Sequence, residues 1–248
     1  KLLIILAIIL SVSNAQPIKK DYLRVAFELG FFLSLEYDLF GDYLFKNKKT
    51  NDPNTIDQYF RNKMVWENKN LNKASLNSDF ILYGLVLGSI PSVPFLIDKD
   101  NYIAIVLANI EVLAINGFIT DIIKLSVGRQ RPASFYNTRD EGKDSFKSFF
   151  SGHTSSAFAI GTSTAMMLSK EYPEKKTLIW GSIYTLASAT GYFRIAADKH
   201  YLTDVLVGAL VGSSIGYFTQ NFISKSYLSI DVSSEDVNHM GFHLNWRF

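Results

Sequence analysis

The chain has 248 residues, of which 48% are hydrophobic, and its 25 Lys plus Arg stand against 23 Asp plus Glu for a formal net charge of +2. That length suits one domain with appendages. So even a charge, with no basic run or aromatic-interleaved basic stripe, argues against nucleic-acid binding. The absence of cysteine removes disulfide frameworks, thiolate zinc sites and cysteine nucleophiles together.

Lys1, the apolar run 2–10 and the small-x-small step Ser13-Asn14-Ala15 before Gln16 have the form of a signal peptide over residues 1–15. An uncleaved anchor is the other reading, but the run is short beside the roughly 20 residues that a span needs. On either reading the following chain is expected to leave the cytoplasm. Residues 16–79 form a polar extension in which Phe27, Phe31 and Leu35 mark one face of a helix over about 22–39. That face could pack on the main domain or lie on a membrane. Asp52-Pro53-Asn54 marks a turn, and 56–71 is expected to form a second polar helix. Trp66 and Asn70 read as packing and surface residues.

From residue 80 the character changes. Five apolar runs follow, at 80–97 (interrupted by Pro91 and Pro94), 102–123, 154–169, 177–193 and 205–224. The second carries Asn109, Glu111, Asn116 and Asp121, which in lipid must face a protein interior. In the last, Gly208, Gly212 and Gly216 stand four apart, a small-residue stripe that permits close helix approach. A mean hydropathy of +0.09 falls between soluble and membrane classes, and the expectation leans to membrane association. In the tail, 225–248, Met240, Phe242, Leu244, Trp246 and Phe248 alternate with other residues, the period of an edge or docking strand. His239 and His243 would not converge on such a strand, so no metal pair is expected there.

Three clusters carry chemistry. Between Lys124 and Pro132 a helix end delivers Lys124, Arg129 and Arg131. Guanidinium forks and an ammonium suit a tetrahedral dianion. Alone, this is a basic helix end favoured by the macrodipole. Ser151-Gly152-His153 then stands directly before an apolar helix. Ser151 is a plausible N-cap and the first-turn N–H groups form an anion site, beside which His153 could donate a proton. Alone, this too is only a cap. Last come Arg194, His200 and Asp204. On a helix the four-residue step would stack the carboxylate on the imidazole, orienting a nucleophile or making a structural pair.

Taken together, Lys124-x6-Arg131-Pro132, Ser151-Gly152-His153 and Arg194-x5-His200-x3-Asp204 resemble the three-part signature of the type 2 phosphatidic acid phosphatase superfamily, which includes bacterial class A acid phosphatases and vanadium haloperoxidases. The resemblance covers about 80–224. Phe150 stands where the family usually has Pro, and Phe193 where it often has Ser. The resemblance implies an all-α bundle of five to six core helices, with the 16–79 extension and the strand-like tail as appendages. It implies that His200 attacks phosphorus to form a phosphohistidine, that Asp204 orients it, and that His153 protonates the leaving group. It further implies that Lys124, Arg131, Arg194, the Ser151 hydroxyl and the Gly152 N–H bind the phosphoryl oxygens, with no metal or other cofactor. Arg129 and Asp198 fall off the signature positions and are expected to be ion-pair partners.

The expected activity is a metal-independent phosphatase of the cell envelope, acting on a phosphorylated lipid or a small phosphate ester, with its site on the non-cytoplasmic side of a membrane. A soluble periplasmic acid phosphatase, a vanadate-dependent haloperoxidase and a non-catalytic phospholipid-binding protein are the alternatives. Oligomeric state has no signature here.

Overall fold

The computed structural model describes residues 52–98 and 102–228, with scattered helical positions between 23 and 33. The leader-like residues 1–15 and the alternating tail lie outside the described residues. Helix α1, Thr55–Met64, starts where the Asn54 side chain accepts a hydrogen bond from the Asp57 N–H. It stops short of the expected end because Val65 turns extended and the Trp66 N–H bonds to the Ala196 carbonyl, a tertiary contact that outweighs local helix preference.

Helix α2, Leu71–Leu87, runs through the position where the extension was expected to give way to the main domain. It continues through a π-helical turn, Gly88–Ser92, into the short α3, Val93–Ile97. Pro91 sits inside that turn, and its missing N–H explains the interruption. Carbonyls there find other donors: Asn109 Nδ2 reaches Ser89 O at 3.3 Å, and the Tyr102 hydroxyl reaches Pro91 O at 3.3 Å.

Helix α4 spans Tyr102–Val127, α5 is the single turn Pro132–Phe135, α6 spans Gly152–Glu171, α7 Lys176–Ala196 and α8 Leu202–Leu228. The five expected apolar helices are all present, and no strand occurs among the described residues. Helix α6 is central, packing against α8, α7, α4 and α2. Its Ala157, Ala159, Ile160 and Ala165 are buried. On α4, Asn109, Glu111, Asn116 and Asp121 are all 6% exposed or less, so the polar groups face inward as lipid would demand. Asn116 accepts from Ser155 Oγ at 2.5 Å and donates to Ser156 Oγ at 3.1 Å.

The glycine stripe of α8 lies on the backbone of α6. A Cβ at Gly208 would come within 2.8 Å of the Ser151 carbonyl, and those at Gly212 and Gly216 would overlap the carbonyls of Ser155 and Ala159. Gly212→Val is therefore expected to lower stability by about 1–3 kcal/mol or more through overpacking. Gly84→Ala on α2, where nothing lies within 4 Å, is the control. Thermal unfolding in detergent reads both, and a wild-type melting curve for Gly212→Val would contradict this packing.

Three helical stretches, Asn68–Ile97, Tyr102–Val127 and Leu202–Asn221, are long and apolar enough to cross a membrane. Large apolar side chains point outward from α2, α3 and α8, among them Phe80, Leu87, Phe95, Leu206 and Phe218. An outward apolar surface around an inward polar seam fits membrane association.

Candidate active site

A cavity of about 420 Å³ lies where α4 and α7 end and α6 begins, with α2 as one wall. It is lined by Lys124, Arg131, Gly152, His153, Arg194 and His200, six of the eight residues expected in the site and drawn from all three sequence clusters. Ser151 and Asp204 stand behind it, both fully buried. Ser151 is the N-cap of α6, its Oγ 3.5 Å from the Thr154 nitrogen and 2.9 Å from Thr154 Oγ1. The capped helix presents its first turn to the cavity as an anion site. A Cβ on Gly152 would lie 3.1 Å from Lys124 Nζ, so glycine lets the ammonium rest against the helix start.

His200 does not stack on Asp204 as their spacing implied. It lies in the bend before α8, two residues ahead of the first helical position. There Nδ1 donates to the Ser148 carbonyl at 2.8 Å, and Asp204 Oδ2 is 3.9 Å away. A carbonyl only accepts, so Nδ1 holds the ring proton and Nε2 keeps its lone pair. Asp204 acts one step back. Oδ2 accepts from Ser148 Oγ at 2.6 Å and the Tyr201 N–H at 2.9 Å, and Oδ1 takes Arg129 Nη1 at 2.6 Å. It thereby fixes the segment whose carbonyl holds the imidazole. Burial pushes the His200 imidazolium well below the ordinary histidine range, and Arg131, Arg194 and Lys124 push in the same direction.

The cations are arranged by carboxylates. Arg131 Nη1 meets Glu141 Oε2 at 2.7 Å and Lys199 Nζ meets the same oxygen at 3.3 Å, while Arg139 holds Oε1. Burial disfavours the Glu141 charge, but Lys199, Arg131 and Arg139 outweigh it and leave the carboxyl below its usual range. Arg131 and Arg194 are 5% and 3% exposed, and the Nε of each is buried without a hydrogen-bond partner. Two orphaned guanidinium donors beside a cavity are costly unless an anion occupies it. Lys147 and Lys199 also line the space, so it carries more positive charge than the three clusters indicated.

Residues 105–227 match the family model described as the PAP2 superfamily. The chain belongs to the PAP2 superfamily. It is 34% identical over 118 residues to lipid A 1-phosphatase of Porphyromonas gingivalis, a match covering 46% of this chain and 23% of that protein. It is 31% identical over 133 residues to lipid phosphate phosphatase 1 of Arabidopsis thaliana, covering 42% and 40%. The chain thus spans less than half the length of these curated relatives. The fold resembles the crystal structure of a transmembrane PAP2 type phosphatidylglycerolphosphate phosphatase from Bacillus subtilis, with a TM-score of 0.54 and 21% identity over 81% of this chain and 96% of that one.

Several residues outside the PAP2 match reach its site. Asp79 of α2 lines the cavity, with Oδ1 2.9 Å from His153 Nε2 and 3.5 Å from Arg194 Nη1. Asp57 of α1 accepts from Arg129 Nη2 at 2.7 Å and from the Thr203 N–H at 2.9 Å. Arg61 forms a two-pronged pair with Asp198, 2.7 Å for each prong. Arg129 and Asp198 are thus the ion-pair partners that the motif spacing implied. The signal for Asp79 was one carboxylate at the edge of a charge-free run, a position that needs a partner.

Proposed function

We propose that this PAP2 protein is a membrane-associated phosphatase that hydrolyses a lipid phosphate monoester or diphosphate through a phosphohistidine on His200. The observation that supports it most is the pairing of a lone-pair-bearing His200 with two guanidinium groups whose Nε donors lack partners. Nε2 of His200 bonds to phosphorus as the bond to the leaving oxygen breaks, and His153 gives that oxygen a proton. His153 then takes a proton from the water that opens the phosphohistidine. Lys124, Arg131, Arg194 and the Gly152 N–H hold the phosphoryl oxygens as charge builds in the transition state. These cations fill the role a metal has in other phosphatases.

A lipid substrate is supported by the α2 wall, where Leu82 and Tyr83 line the cavity and Leu76 and Phe80 of the same helix are 66% and 80% exposed. The names of the relatives agree with it. The leader-like N-terminus favours a site on the non-cytoplasmic side.

Phosphate release from phosphatidate micelles, by the full chain in detergent with EDTA present, is the test. Release blocked by vanadate is expected. An absolute Mg²⁺ requirement would exclude this mechanism, halide oxidation with vanadate alone would favour a haloperoxidase, and lipid binding without turnover would favour a binding protein.

A further inference from the structure

Helix α2 contributes a carboxylate to a cavity otherwise dominated by cations. Asp79 Oδ1 stands 2.9 Å from His153 Nε2 and 3.5 Å from Arg194 Nη1, and its side chain is 31% exposed. The carboxylate is itself held in place: Ser78 Oγ is 3.4 Å from Asp79 Oδ1 and takes a hydrogen bond from Arg194 Nη1 at 3.2 Å. An acidic group here works against binding a phosphate dianion. Its presence calls for a benefit elsewhere, and its nearest neighbour is His153.

We infer that Asp79 is a positioning residue for His153, holding its ring and stabilising its charged form so that it can protonate the leaving oxygen. This rests on the phosphatase reading above. A general acid must enter the reaction carrying its proton, yet burial first, and then the charges of Arg194 and Lys124, push the pKa of the His153 imidazolium down to about 4. The Asp79 carboxylate supplies the opposing charge. It also engages Nε2, fixing the ring and leaving the other nitrogen for the substrate. The proton balance is simple. As His200 Nε2 bonds to phosphorus and the P–O bond breaks, the alkoxide takes the proton from His153, whose neutral ring keeps its contact with Asp79.

This division of labour depends on the leaving group. An alkoxide departs poorly without a proton, whereas p-nitrophenolate departs without one. Asp79→Asn is therefore expected to lower kcat on phosphatidate by about 10²-fold, the scale of general acid catalysis. The burst of p-nitrophenolate that accompanies phosphorylation of His200 is expected to change in rate less than about 3-fold, far below that scale. His153→Ala is expected to keep a burst but to turn over both esters slowly, because the same ring activates the water that opens the phosphohistidine, and Asp79→Glu is expected to recover part of the phosphatidate rate. Melting curves in detergent accompany each variant, and the amplitude of the burst reports on the folded fraction of each. A burst slowed as much as phosphatidate hydrolysis, or an unchanged phosphatidate rate in Asp79→Asn, overturns the role of Asp79 while leaving the phosphatase reading intact. A wild-type chain that releases phosphate from neither ester overturns both.

Discussion

Replacing His200 with alanine is expected to lower phosphate release by about 10⁴-fold or more, because it removes the nucleophile of the proposed mechanism. That corresponds to about 5 kcal/mol of barrier. Its state in the resting protein is set by three surroundings: burial at 3% exposure, the Ser148 carbonyl on Nδ1, and the nearby Arg131, Arg194 and Lys124. Burial and then these cations hold the ring neutral at pH 7, with Nε2 free. The sign of the pH effect follows. An unfolded histidine takes its proton near 6.5, while folded His200 resists it, so stability is lost as pH falls below that value. For the same reason no loss of rate near pH 6.5 is expected from His200.

The alanine variant leaves the Ser148 carbonyl without its donor, a cost of about 1–3 kcal/mol, so its melting curve belongs with the assay. Vanadate binding is expected to survive, since the cations remain. An active His200→Ala protein would refute the assignment of the nucleophile.

The second large effect concerns stability. Asp57 is fully buried and receives Arg129 Nη2 at 2.7 Å, the Thr203 N–H at 2.9 Å, Thr203 Oγ1 at 2.8 Å and Asn54 Nδ2 at 2.8 Å. Asp57→Ala strips these donors at once and leaves the first turn of α8 with an unmet N–H. Removing one partner of a buried pair costs about 3–5 kcal/mol, which thermal unfolding would register as a large fall in Tm. The effect on catalysis is expected to be smaller in the fraction that stays folded. Asp204 keeps Ser148 Oγ and the Tyr201 N–H, and the Arg129 guanidinium retains both Asp204 and its seat 4.3 Å over the Tyr201 ring. An unchanged melting temperature would show that α1 is dispensable to the fold.

The helices were legible because each is an uncharged run bounded by polar turns, and the stripe Gly208, Gly212, Gly216 announced a close contact. The cationic clusters were legible because their spacings are local. Asp57, Asp79 and Glu141 were not. Asp79 meets His153 across 74 positions and Asp57 meets Arg129 across 72, and such pairs leave no periodicity to find. The His200–Asp204 step misled for another reason: a four-residue spacing stacks two side chains only when both are helical, and here the helix begins between them. The extension likewise looked separable by composition, yet α2 crosses its expected boundary and carries Asp79.

The contact of Gly208 with the Ser151 carbonyl bears on how far this site can drift. His153 is the second residue of α6 and His200 lies two residues ahead of α8, and the Ser151 N–H also bonds to the Asp204 carbonyl at 3.0 Å. The separation of the two histidines is therefore gauged by main chain against main chain. Side chains elsewhere in the bundle can exchange, and the surrounding lipid can vary in thickness, without changing that gauge. A single methyl group at Gly208 would act as a wedge between attacker and acid.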